Sequence, residues 1–323
     1  MMMNNSLRNQ CKARPGTVIK GKWYKNEYKV IKELGFGANG IVYLAECQGR
    51  EVALKVSDNS MSISSEMNIL KSFTKVQGSA LGPSLLSVDD WVNQGVTLPF
   101  YVMEYIKGES YLDFLKYKGT SWAIVLILQL LKNLSLLHQS GWVFGDLKPE
   151  NLIISSPSCQ VRCVDVGGTT LVGRSIKEFT EFFDRGYWGL GSRKAEPSYD
   201  LFAVAMIFLN SYYPNRFTKK SEGYSQLSQA IKGKKELKMY EPVLEKALLG
   251  KYSTADEMRK ELMAAANLNM DSSRQKQAPS RTSYQTPTRK RKKGKTKGGL
   301  LESMLLVVLI SIVYMVYIYT KLL

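Results

Sequence analysis

The stretch Gly141-Trp-Val-Phe-Gly-Asp-Leu-Lys-Pro-Glu-Asn151 decides how the rest of the chain is read. Within it Asp146 is followed by Lys148 and Asn151 on a loop fixed by Pro149, so three polar groups converge on one small volume. Phosphoryl transfer asks a protein for positioning and charge neutralisation rather than for covalent chemistry. Asp146 suits the acceptor of a hydroxyl proton, Lys148 a cation beside a moving phosphoryl group, and Asn151 a ligand for magnesium. A polar loop of this composition also arises by chance, so its context has to decide.

Towards the N-terminus, residues 28–34 alternate apolar and polar like a half-buried strand and lead into Gly35-Phe-Gly37-Ala-Asn-Gly40-Ile-Val42. The same glycine spacing marks a dinucleotide-binding turn, but that turn runs from a strand into a helix. Here Ile41, Val42, Tyr43 and Leu44 continue as a strand. The next strand, Glu51-Val-Ala53-Leu-Lys55-Val56, places a lysine between apolar neighbours. A buried ammonium group is costly unless an anion meets it. The amphipathic segment 61–73 that follows holds a single acid, Glu66, which is the expected partner. Beyond the central loop, Asp165-Val-Gly supplies a further acid 19 residues after Asp146.

These segments, in this order, resemble the motifs of the eukaryotic-type (Hanks-type) protein kinases, and the chain is similar to bacterial serine/threonine kinases of that family. The resemblance spans residues 28–266 and implies an α+β, bilobal kinase fold with a small β-rich lobe and a larger helical one. It implies ATP as cofactor, magnesium or alternatively manganese as the metal, and protein substrates. Gly35, Gly37, Gly40 and Val42 would then cover the phosphates, and Lys55 would pair with the α- and β-phosphates and with Glu66. Ala53 and Ile153 would hold the adenine between them, with Met103 behind it and the backbone of Glu104 and Ile106 at its edge. Asn151 and Asp165 would hold the metal, and Asp146 followed by Lys148 fits the serine/threonine pattern.

Departures from the family pattern are local. Phe144 and Gly145 replace the His and Arg of H-R-D, and Val166 replaces the Phe of D-F-G. A large Phe144 in place of the His and a small Val166 in place of the Phe roughly conserve volume across the pair, which core packing tolerates best. No A-P-E triplet appears, Gly189-Leu-Gly standing near its place, and its arginine partner is absent from residues 251–254. Without an arginine at Gly145, a phosphate on Thr169, Thr170, Ser175 or Thr180 has no familiar receptor, so replacing those residues by Ala is expected to cost less than about tenfold. The lost residues make a pseudokinase-like membrane scaffold or nucleic-acid tether the alternative to an active enzyme. His138, the chain's one histidine, is expected to cap or pack.

The formal net charge of +17 is concentrated: residues 272–301 carry ten Lys and Arg and no acid. Four cysteines are too few and too scattered for a disulfide framework, which indicates a reducing compartment. The polar, basic residues 1–27 contain no apolar signal-peptide core. Residues 267–299 read as a disordered basic linker, and 300–320 as a transmembrane helix followed by a short external tail at 321–323. Basic residues before the span place the kinase on the cytoplasmic side of the cell membrane, single-pass and with no sensor domain outside. Within the linker, Arg289, Lys290, Arg291, Lys292, Lys293, Lys295 and Lys297 form a polyanion site for DNA or anionic lipid. Either polyanion could gather copies for autophosphorylation by self-association.

Overall fold

The computed structural model describes residues 10–37, 39–75, 81–220 and 222–277. The smaller lobe is an antiparallel sheet of β1 (Val18–Lys20), β2 (Glu27–Gly37), β3 (Gly40–Cys47), β4 (Arg50–Val56), β5 (Leu85–Asn93) and β6 (Val96–Glu104). The strand order is β1-β2-β3-β4-β6-β5, and helix α1 (Ser60–Lys75) packs against β5 and β6. The glycine-rich turn runs strand to strand as expected, with Gly37 opposite Gly40 in the β2–β3 register. Only Tyr28 and Val30 of β2 are buried, so the half-buried alternation ends early and Leu34 and Phe36 reach solvent.

This lobe begins earlier than residue 28. Cys11, Ala13 and Ile19 join Tyr28, Tyr43, Leu54 and Phe100 in one buried cluster, and β1 pairs with β2. The Tyr43 hydroxyl donates to the carbonyl of Cys11 at 3.0 Å and accepts from the amide of Ala13 at 2.9 Å. Three apolar side chains among basic neighbours are enough to fix the segment, because buried apolar area does not depend on mean composition.

The larger lobe is helical: α2 (Tyr111–Lys118), α3 (Ala123–Gln139), α4 (Arg185–Trp188), α5 (Pro197–Asn210), α6 (Gly223–Lys232), α7 (Lys235–Lys238), α8 (Glu241–Leu248) and α9 (Ala255–Gln277). Its core is built on α3, which buries one apolar face, and on α5, whose apolar residues are all buried. Among the described residues α3 is the one helix long and apolar enough to cross a membrane, but its buried Leu126, Ile127, Leu130, Leu131 and Leu134 belong to that core. Short strands β7 (Gly108–Ser110), β9 (Leu152–Ser155) and β10 (Val161–Cys163) pair beneath the cleft, and β8 (Trp142–Val143) pairs with β11 (Thr170–Leu171). The chain therefore has the expected α+β bilobal form, with the cleft between a sheet and a helical body.

Helix α9 runs across residue 266, where the sequence places the domain edge. Neither Gly nor Pro occurs from Ala255 to Gln277 to stop it, and Pro279 is the first breaker beyond. The seven-residue basic cluster and the membrane-span reading of 300–320 lie outside the described residues.

Candidate active site

The cleft between the lobes is a cavity of ≈ 680 Å³, within the ordinary range for small-molecule sites. Gly35, Gly37, Gly40, Val42, Ala53, Lys55, Glu104, Ile106, Asp146, Lys148, Asn151, Ile153 and Asp165 all line it. The expected site residues thus come together from both lobes, Glu66 excepted, which stands behind Lys55.

The Lys55 ammonium donates to Glu66 Oε2 at 2.6 Å, with both residues buried. Extended β4 points Lys55 into the cleft, and α1 brings the acid in from behind. A hydroxyl that sequence reasoning missed completes the pair: Tyr101, opposite Lys55 in the β4–β6 register, donates to the same Oε2 at 2.7 Å. Burial, and then the neighbouring Glu66 carboxylate, push the Tyr101 phenol well above its usual range, so it stays a donor.

Across the cavity, Lys148 Nζ donates to Asp146 Oδ2 at 2.5 Å, and Asn151 Nδ2 donates to the Asp146 carbonyl at 2.9 Å. Pro149 opens a 3₁₀ turn, Pro149–Asn151, that aims these groups inward. Thr180 joins them: its hydroxyl donates to Asp146 Oδ1 at 3.1 Å and accepts from Lys148 Nζ at 3.2 Å. Asn39 Nδ2, from the glycine-rich turn, donates to Glu178 Oε1 at 2.7 Å, tying the lid of the cleft to the segment that carries Thr180.

The catalytic loop is anchored from below by Asp200, which is fully buried. Its carboxylate accepts from the amides of Phe144 at 2.7 Å and Gly145 at 2.9 Å and lies 2.9 Å from His138 Nε2. The expected packing role of His138 is therefore a bond to the residue that holds the loop. Phe144 and Val166 are both buried in the large core, as the paired volume change requires. At Gly145 φ is +85°, and a Cβ would fall 2.7 Å from the Gly168 carbonyl oxygen. The backbone therefore excludes a side chain at the position where an arginine is missing.

The segment after Asp165 brings its own anchors in place of the absent A-P-E pair. Fully buried Asp184 caps α4 by accepting from the amides of Gly186 and Tyr187, accepts the Tyr199 hydroxyl at 2.9 Å, and pairs with Arg193 at 2.7 Å. Arg185 bonds Glu196 at 2.6 Å and Ser198 at 2.8 Å. Trp188, also buried, packs edge-on to Phe182 and Phe217. Replacing Asp184 by Ala removes the cap and strands a buried tyrosine hydroxyl, so unfolding in urea is expected to show a loss of about 2–4 kcal/mol. A loss below about 1 kcal/mol would show that the network is not structural.

The donor set fits a nucleotide and a divalent cation. Among the lining residues Asp165 and Asn151 supply hard oxygens, Lys55 a cation, and Ala53, Val42 and Ile153 apolar surface.

The protein kinase domain model matches residues 28–284. The chain belongs to the protein kinase family. The serine/threonine-protein kinase YabT of Bacillus subtilis is 49% identical to it, over 98% of each chain. By that family and that full-length similarity the chain is an enzyme, a protein kinase of the serine/threonine class, and kinases of the family use ATP and a divalent metal. A second kinase, pkn2 of Myxococcus xanthus, is 32% identical over 45% of this chain and 18% of its own length, so the chain spans only a fraction of that larger relative. The fold also matches a solved structure of vaccinia related kinase 3 with a TM-score of 0.60 at 17% identity, covering 82% of this chain and 94% of that one.

Proposed function

We propose that this kinase transfers the ATP γ-phosphate to serine or threonine hydroxyls of protein substrates while held at the inner face of the cell membrane by residues 300–320. The observation that carries the catalytic part is the triangle of Asp146, Lys148 and Thr180, facing Asp165 and the Lys55–Glu66 pair across one cavity. Asp146 accepts the proton of the acceptor hydroxyl, and the Lys148 ammonium, 2.5 Å from the same carboxylate, stands beside the transferring oxygens. Lys55, fixed by Glu66 and Tyr101, orients the phosphates, and the glycine-rich turn covers them. Asn151 and Asp165 would hold the metal, which when bound offsets the phosphate charge. The direct test is phosphate incorporation into a generic serine-containing protein substrate by the purified chain, with Lys55→Ala and Asp165→Asn as controls. Wild-type incorporation in either control would remove the assignment.

The basic cluster at 289–297 supports a polyanion role, with DNA as the ligand and anionic lipid as the rival outcome. Seven charges in nine residues neutralise up to seven phosphates, so log affinity should fall with log salt at a slope of about −6. The comparison is between chains ending at Lys297, one with the native cluster and one with its seven charges changed to Gln. At ~0.15 M salt, where exposed charges act over ~8 Å, the native chain should bind duplex DNA and gain activity while the Gln chain does neither. Equal DNA binding and response in the two would reject the proposal, and a response to anionic vesicles alone would give the cluster to lipid.

A further inference from the structure

A second cavity, of ≈ 210 Å³, has a lining that includes Phe182, Tyr187, Phe217, Glu181, Arg216 and Thr218 and shares no residue with the nucleotide cleft. Two links join it to the acceptor site. Glu181 and Phe182 directly follow Thr180, whose hydroxyl bonds Asp146. Arg216 Nη2 pairs with Glu150 Oε1, and Glu150 lines the cleft together with Asp146 and Lys148. The volume falls short of the roughly 300–1,000 Å³ of small-molecule sites and suits a single large side chain.

An aromatic cluster builds this cavity. Phe217 packs edge-on to Phe182 with ring centroids 5.4 Å apart, to Tyr213 at 5.6 Å and to Trp188 at 6.1 Å. Such ring pairs hold Phe217 in one orientation. Phe182 and Trp188 are buried, whereas Tyr187 and Phe217 stay partly open, so the fold leaves apolar surface uncovered here.

Arg216 follows α5 in a turn where its amide donates to the Tyr213 carbonyl at 3.0 Å, and its φ of +49° is one that a non-glycine residue seldom adopts. The guanidinium lies over Phe183, 4.7 Å from the ring centroid, and reaches Glu150 from there. The two side chains are 28% and 53% exposed, and an ion pair at such a surface adds little stability. Its effect is on local charge. A free Glu150 would offer its carboxylate to any basic side chain arriving beside the acceptor hydroxyl. Lys219 Nζ donates to the Tyr187 carbonyl at 3.0 Å, so Arg216 and Lys219 offset Glu150 and Glu181. With the charges balanced, the apolar wall is left to discriminate between substrates.

We propose that this cavity is a substrate-selecting subsite: it takes a large apolar side chain, aromatic or long aliphatic, that flanks the acceptor serine or threonine, while Arg216 withholds Glu150 from basic side chains. A peptide whose hydroxyl reaches Asp146 passes Thr180, which bonds that carboxylate, and Glu181 beside it already lines the cavity. A flanking residue, at about 3.3–3.6 Å of chain per position, therefore comes within reach. Its apolar side chain leaves water and covers the open surface of Tyr187 and Phe217.

The inference rests on the proposed transfer at Asp146, and the test tells the two apart. The full-length chain and its Phe217→Ala and Arg216→Gln variants are given MgATP and serine-centred peptide libraries in which each flanking position is varied in turn. Urea midpoints check that the variants fold. Wild type is expected to select Phe, Leu or Met over Ala by about fivefold or more at one flanking position, with no selection of Lys or Arg. Phe217→Ala should shrink that preference to within about twofold. Arg216→Gln should keep it and gain a preference for Lys or Arg over Ala of about threefold or more, because Glu150 is then unpaired. Ratios taken within each variant cancel any change in its overall rate. Should Phe217→Ala fail to fold, the partly exposed Arg216→Gln still decides. A labelled library with a flat wild-type profile, or one led by Lys and Arg, overturns the subsite and leaves the transfer reading intact. An unchanged profile in folded Phe217→Ala does the same, and Arg216→Gln without the basic gain overturns the role of Arg216. No label in any library fails the transfer reading itself, and the subsite with it.

Discussion

Replacing Asp146 by Asn lowers phosphoryl transfer by about 10²–10⁴-fold, the range that a positioned general base contributes. The substitution keeps the size and shape of the side chain and leaves the Asn151 bond untouched, because that bond ends on the Asp146 backbone carbonyl. What changes is charge and proton affinity. The amide cannot take up a hydroxyl proton, and it offers Lys148 a neutral oxygen where a carboxylate stands at 2.5 Å. Nucleotide affinity should change little, since Lys55, Glu66 and the apolar lining residues of the cavity are unaltered. The informative readout is therefore kcat against the Kd for ATP, with the urea midpoint as a check on the fold. Transfer within about tenfold of wild type would assign the base elsewhere, and a matching loss of ATP binding would recast Asp146 as a nucleotide-site residue.

How much of this site was legible in the sequence depended on whether a residue's environment forced its partner. Lys55 lies on a strand with apolar neighbours, and a buried ammonium group demands an anion. Only one acid occurs in the helix that follows, so the Lys55–Glu66 pair could be named and is found at 2.6 Å. Tyr101 bonds the same carboxylate but was invisible, because a tyrosine on an apolar strand is explained equally well by packing alone. The residues around Asp184 were illegible for a different reason. Arg185, Arg193, Glu196 and Tyr199 act on one short irregular segment, where no period of two or 3.6 distinguishes inward from outward positions. Composition also misled at the N-terminal edge. Residues 1–27 look like a basic tail on average, while individual positions, Cys11 and Ile19 among them, are wholly buried in the small lobe's core. At Gly145 the sequence revealed a missing arginine, but only the +85° φ and the Gly168 carbonyl show that no side chain fits.

Thr180→Ala is expected to cost about 10- to 100-fold in transfer, at or above the tenfold ceiling that its reading as a dispensable phosphosite sets. Its hydroxyl touches both Asp146 Oδ1 and Lys148 Nζ, at 3.1 and 3.2 Å, so it fixes the base and the cation relative to each other. Hydrogen bonds to charged groups contribute about 1.5–3 kcal/mol, which converts to that loss if both charged groups drift in the transition state. Two further variants separate positioning from modification. Thr180→Ser keeps the oxygen and should recover activity to within about threefold of wild type, because only a methyl group is removed. Thr180→Glu places a second carboxylate against Asp146, and like charges at that range disfavour the ionised base, so it should be at least as impaired as Ala. A phosphosite would give the opposite order, with Glu active and Ala dead or unaffected. Because the Thr180 hydroxyl donates directly to the proton acceptor, its loss should lower kcat more than it raises the KM for ATP. A change confined to KM would place the residue in nucleotide binding instead.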